Sequence, residues 1–129
     1  MTTPRVLVIY DRVNGDTFRQ VIATMEYETD GIETFEAALE FLRDAAEPYI
    51  VVAGAMTEWW QTTFFEGVEA GGPALRRHVY IAFDCWSRGP SAYLQLLFRL
   101  AAYDLPMPFN MDELEDALGA AAARLARSP

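Results

Sequence analysis

Pro48-Tyr49-Ile50-Val51-Val52-Ala53-Gly54 is the stretch on which the fold turns. After the proline come consecutive apolar residues, mostly β-branched, with no polar alternation. That pattern suits a strand covered on both faces, as in a parallel sheet. The glycine closes the run.

Working outward, the same signature recurs in Arg5-Val6-Leu7-Val8-Ile9-Tyr10 and again from Val79 to Phe83. Tyr27 to Asp30 reads as a second strand, and Leu105 lies in a short fifth. Helical stripes fill the gaps. Asp16 is an N-cap for a helix whose inner face is Phe18, Val21, Ile22 and Met25. Thr34 caps the next, with Phe35, Ala38, Leu39 and Leu42 inward. Residues 57–70 have no clean period and are read as helical, stopped by Gly71-Gly72-Pro73. Pro90-Ser91 opens a helix through Ala102. Asn110-Met111-Asp112-Glu113 has capping-box spacing, and Leu114, Ala117, Leu118, Ala121 and Leu125 give the last helix its apolar face. Strands alternating with helices predict an α/β fold, a doubly wound, five-stranded parallel sheet with helices on both faces. In such sheets ligands and chemistry lie beyond the carboxyl ends of the strands.

A chain of 129 residues that is 52% hydrophobic is one domain, spanning residues 1–129. No linker or internal repeat divides it; if this is the full protein, no output domain is attached. No run approaches the roughly 18 apolar residues a membrane span needs, and the first residues lack a secretion signal. The single cysteine, Cys85, cannot form an intrachain disulfide, so a reducing cytoplasm is the expected setting. The net charge of −9 argues against direct contact with DNA or RNA, whose binding needs a basic surface.

With the elements in place, the chain resembles the CheY-like receiver domains of response regulators in two-component signalling. Tyr27-Glu28-Thr29-Asp30 followed by Glu36-Ala37-Ala38-Leu39-Glu40-Phe41-Leu42 is similar to the family's second strand and its "EEALELL" helix. Residues 48–52 resemble the "PDLVLLD" strand. Tyr103-Asp104-Leu105-Pro106-Met107-Pro108-Phe109-Asn110-Met111-Asp112-Glu113-Leu114 resembles "DYLTKPFDLDEL". The resemblance implies a strand order of 2-1-3-4-5, and a cis bond between Met107 and Pro108.

The family's working positions are changed. Where receivers end the first strand with two acidic Mg²⁺ ligands, this chain has Tyr10-Asp11. The phosphoaccepting aspartate is replaced by Gly54, and no Asp or Glu comes nearer than Glu58. The Ser/Thr position is Phe83, or Asp84 with a one-residue slip, and the lysine before the proline is Met107. Glycine offers no nucleophile for an acyl-phosphate, one aspartate is thin support for Mg²⁺, and methionine brings no charge to a phosphoryl oxygen. The resemblance therefore implies a degenerate, or pseudo-, receiver with no catalytic residue, cofactor or metal.

Tyr10, Phe83 and Met107, with Trp59, Trp60 and Trp86 on the neighbouring loops, make an aromatic edge. It is either a small-molecule pocket or a cavity filled by packed rings. Trp59-Trp60 with Phe64-Phe65 could also pack the third helix on the sheet or reach an interface.

In the helix at 91–102, Ser91, Gln95 and Arg99 form one narrow polar stripe, and the remaining arc is wider than docking on a sheet requires. In receivers this fourth helix, the fifth strand and the last helix form the output surface. Tyr93, Leu94, Leu97 and Tyr103 are therefore candidates for a dimer or partner interface, the alternative being cover by nearby loops.

His78, the only histidine, begins the fourth strand without a second ligand at metal spacing, and Cys85 lacks an electropositive setting. Asp11, Asp16 and Asp84 could gather around a cation, or be ordinary loop carboxylates. The expected function is non-enzymatic signalling by protein contact, with a protein partner or a second copy, independent of phosphorylation. The alternative is small-molecule sensing at the aromatic edge. A flavodoxin-like enzyme would carry a Ser/Thr/Gly-rich phosphate loop after its first strand, and residues 11–17 are too acidic for one.

Overall fold

A computed structural model describes residues 4–9, 17–53, 58–84, 91–106 and 110–127; the side chains of 17, 18, 58–61, 83, 84, 91–94, 104 and 106 lie outside that description. The chain runs β1 (Val6–Ile9), α1 (Thr17–Ala23), β2 (Thr29–Ile32), α2 (Phe35–Asp44), β3 (Ile50–Ala53), α3 (Glu58–Ala70), α4 (Pro73–Arg76), β4 (Val79–Asp84), α5 (Ser91–Arg99), β5 (Tyr103–Pro106) and α6 (Met111–Arg127). The five strands are parallel and lie in the order β2-β1-β3-β4-β5. The doubly wound sheet expected from the sequence is the one observed.

The apolar runs have a direct structural cause. Alternate residues of each central strand enter different cores, so both faces of every one must be apolar. Leu7, Ile9, Val51, Ala53, Tyr80 and Ala82 face one layer, with Ala38 and Leu42 of α2, Phe64, Phe65 and Val68 of α3, and Leu96 and Leu97 of α5. Val6, Val8, Ile50, Val52, Val79 and Ile81 face the other, with Ile22 of α1 and Leu114, Leu118 and Ala121 of α6. Each fully buried aliphatic side chain contributes about 1.5–3 kcal/mol, enough to make this register the dominant one. Edge-to-face contacts of Phe64 with Phe65 and of both with Tyr80, at centroid distances of 5.2, 6.0 and 5.9 Å, anchor α3 on the sheet.

The helix caps follow the sequence closely. The Thr34 hydroxyl accepts the Ala37 amide at 3.2 Å. Asn110 Oδ1 accepts the Glu113 amide at 2.8 Å, while Glu113 Oε1 accepts the Asn110 amide at 3.4 Å, a reciprocal capping box.

Three element boundaries differ from expectation. The second strand is Thr29–Ile32 rather than 27–30. Glu26 turns the chain at φ 69°, and Tyr27 packs into the α1/α6 layer, so pairing with β1 begins at Thr29. The helix expected to reach Ala102 stops at Arg99. There the Ala101 amide donates to the Phe98 carbonyl and the Ala102 amide to the Leu97 carbonyl, both at 3.0 Å, with Ala101 at φ 54°. That is a Schellman closure built on alanine instead of glycine. Finally, Gly71-Gly72-Pro73 does more than stop α3. Gly72, at φ 69° and ψ −152°, takes a conformation a side chain disfavours, and Pro73 starts the short α4. The helix expected to be fourth is consequently α5.

Candidate functional site

At the carboxyl edge, Ile9, Ala53 and Ala82 are adjacent Cα partners on β1, β3 and β4. The next residues in sequence are Tyr10, Gly54 and Phe83. Phe83 and Asp84 continue β4, paired with Leu105 and Pro106 of β5. Trp59 and Trp60 fall in the first turn of α3. Their side chains, that of Phe83, and all of Tyr10, Asp11, Asp16, Gly54, Cys85, Trp86 and the Met107–Pro108 bond lie outside the described residues.

The surface of α5, β5 and α6 is described more fully. Leu97 does not belong to it. This residue is only 3% exposed and sits in the core under α5, packed with the α2/α3 layer, because it lies on the opposite side of the helix from Gln95 and Arg99. Its neighbour Phe98 is 86% exposed. Phe98 shares the outward face with Gln95, three residues earlier, and that spacing is the signal that separates it from the core leucines. Tyr93 and Leu94 lie on α5, with side chains outside the description. Tyr103 is half-buried, and its hydroxyl donates to the Ala120 carbonyl at 3.4 Å. The Arg124 guanidinium lies 5.9 Å from the Tyr103 ring centroid and donates to the Ala101 carbonyl at 2.5 Å, tying α6 to the closure of α5.

Also on the exposed part of α5, Arg99 forks onto Glu69 at the end of α3, at 2.7 and 3.2 Å. The Arg99 hydrogen bond holds the Glu69 carboxyl below its ordinary range; desolvation opposes it, and the charges of Arg99 and Arg76 assist. The pair is exposed, so its effect is orientation of α5 on α3 more than stability.

His78 occupies the opposite, amino edge. It is 3% exposed and immediately precedes β4. Nδ1 accepts the Tyr49 amide at 2.9 Å and Nε2 donates to the Leu42 carbonyl at 2.8 Å. The Arg77 side chain donates to the Ala45 carbonyl and, at 3.2 Å, to that of Leu42. Together they satisfy the Leu42 and Ala45 carbonyls at the end of α2 and join it to the starts of β3 and β4. His78 is thus committed to backbone partners, and among the described residues no three His, Cys, Asp or Glu side chains gather as a metal cluster. Among the same residues no helix is long and apolar enough to cross a membrane.

No protein-family model and no curated protein matches the sequence. Solved structures do match. A CheY-like response regulator receiver domain protein from Methanospirillum hungatei superposes with a TM-score of 0.74 over 98% of this chain and 98% of that one, at 14% identity. The fold is a receiver fold. An adenylate cyclase structure from Rhodopirellula baltica gives a TM-score of 0.72 at 13% identity, over 96% of this chain and 90% of that one. The beryllofluoride-activated NtrC4 receiver domain, solved as a dimer, gives 0.66 at 17% identity, over 94% and 98%. At these identities the likeness carries the architecture of the receiver, and chemistry has to be argued from this chain's own residues.

Proposed function

We propose that this receiver-fold chain is a pseudo-receiver, a non-enzymatic module of cytoplasmic signal transduction. It acts by protein contact through α5, β5 and α6 and takes no phosphoryl input. The carrying observation is the end of β3. The strand finishes at Ala53, in register with Ile9 and Ala82, and the residue that follows is Gly54. A one-residue slip cannot supply the missing nucleophile, since the next carboxylate in sequence is Glu58, already in α3. Tyr10 and Met107 remove a Mg²⁺ carboxylate and the phosphoryl-pairing cation, and Phe83 stands in the place of the Ser/Thr.

Support for the contact surface is Phe98. A phenylalanine exposed over 86% of its surface, next to the buried Leu96 and Leu97, costs solubility unless a partner covers it. A second copy is the partner proposed, as the NtrC4 receiver is solved as a dimer. Incubation with radiolabelled acetyl phosphate should leave no acid-labile phosphate on the protein, and label on any Asp or Glu would sink the reading. Light scattering over a concentration series should show a dimer that Phe98→Asp converts to monomer.

A further inference from the structure

A groove of about 790 Å³ opens at the amino edge of the sheet, away from both the carboxyl edge and the α5 surface. It is walled by the turn after α1, the last turns of α6 and the segments that enter β1 and β3. Its floor is apolar. Met25, Tyr27, Ala122 and Leu125 line it, each only partly buried against the α1/α6 core. The size is within the range of natural binding clefts.

Among the described residues, the rim carries carboxylates that no cation neutralises. Arg5 lines the groove, but Asp30 at 3.2 Å and Glu28 at 3.8 Å already hold its guanidinium. Glu26 and Glu47 also line it, and among the described residues neither has an ion-pair partner. Glu26 is set there at a conformational cost. It closes α1 at φ 69°, a position where glycine is the usual choice, so the fold places a carboxylate at the lip. The charge of the whole chain, −9, draws the same kind of partner from a distance.

We infer that this groove docks a basic amphipathic segment of a partner protein, its leucine-class side chains on the Met25/Tyr27/Leu125 floor and its lysines or arginines against Glu26 and Glu47. Apolar contact supplies the affinity, and the carboxylates select sign and register. This site is independent of α5 and of any phosphoryl chemistry.

The test is a titration of the isotope-labelled full chain with a short amidated Leu/Lys amphipathic peptide, followed by backbone NMR. Saturable shifts are expected at residues 25–27, 47 and 122–126. A lysine-only peptide and a Leu/Glu peptide should not produce them. Glu26→Lys combined with Glu47→Lys should weaken binding at least about tenfold, with the rest of the spectrum unchanged as the sign of an intact fold. The proposal is overturned if the shifts fall elsewhere, if the Leu/Glu peptide binds equally, or if the double variant binds as before. It also falls if the groove resonances move with protein concentration alone, which would make a second copy the occupant. Removal of residues 1–3 that raises peptide affinity severalfold would overturn it too, by assigning the groove to the chain's own start.

Discussion

The Tyr49 amide donates to Nδ1 of His78 at 2.9 Å, so the imidazole's one proton is on Nε2, where it meets the Leu42 carbonyl at 2.8 Å. Protonating Nδ1 would set two donors against each other in a buried site. Burial pushes the His78 pKa down from 6.5 to about 4; the Leu42 hydrogen bond opposes this and the Arg77 charge assists it. Because the folded value lies below the unfolded one, the stabilisation is fully present above pH 6.5 and is lost as pH falls towards about 4. The difference corresponds to roughly 3 kcal/mol. His78 is the sole histidine, so its imidazole NMR signals need no assignment. They should report the neutral Nε2–H form down to about pH 5, and a midpoint near 6.5 would contradict the buried geometry.

Replacing His78 by leucine keeps the bulk and removes both bonds. The Tyr49 amide then loses its acceptor in a buried place, and the Leu42 carbonyl keeps only the Arg77 donor. A loss of about 2–4 kcal/mol in urea unfolding is expected, with an unchanged m-value.

Leu97 and Phe98 are neighbours with opposite environments, 3% and 86% exposed. Leu97→Ala should cost about 2–4 kcal/mol through the cavity it leaves. Phe98→Asp should change stability of the monomer by less than about 0.5 kcal/mol while altering the molecular mass in solution. Equal destabilisation by both would mean that α5 is rotated from the position described.

The capping bonds of Thr34 and Asn110 are local and independent. Thr34→Ala and Asn110→Ala should each cost about 1 kcal/mol and add when combined, as chemical denaturation of the single and double variants can show.

Gly54→Asp restores one carboxylate and nothing else. With Tyr10 and Met107 unchanged, acetyl phosphate should still give no labelling, whereas Gly54→Asp joined with Tyr10→Asp and Met107→Lys supplies the full set of charges. Labelling of the single variant would mean that Asp11 alone can organise the cation.

What could be read from sequence follows a physical divide. The sheet was legible because β1, β3 and β4 are buried on both faces, and only continuous apolar runs satisfy that. The caps at Thr34 and Asn110 were legible because donor and acceptor are three residues apart. The role of His78 was not, since its partners lie 29 and 36 residues away and are main-chain groups that carry no side-chain signature. The early end of α5 escaped for a related reason. Ala101 has no intrinsic preference for φ 54°, and the packing of Leu100 and Ala102 against the core holds it there. Leu97 was assigned to the surface because the apolar arc of α5 is too wide to show which part faces inward.

The His78 junction lies at the amino ends of β3 and β4, one strand length from Ala53 at the carboxyl end of β3, which Gly54 follows in sequence. This knot therefore holds the sheet at the pole away from its carboxyl edge. A lineage could strip every acid from one pole without loosening the knot at the other. The architecture would then outlast the reaction it once carried and become available for other work.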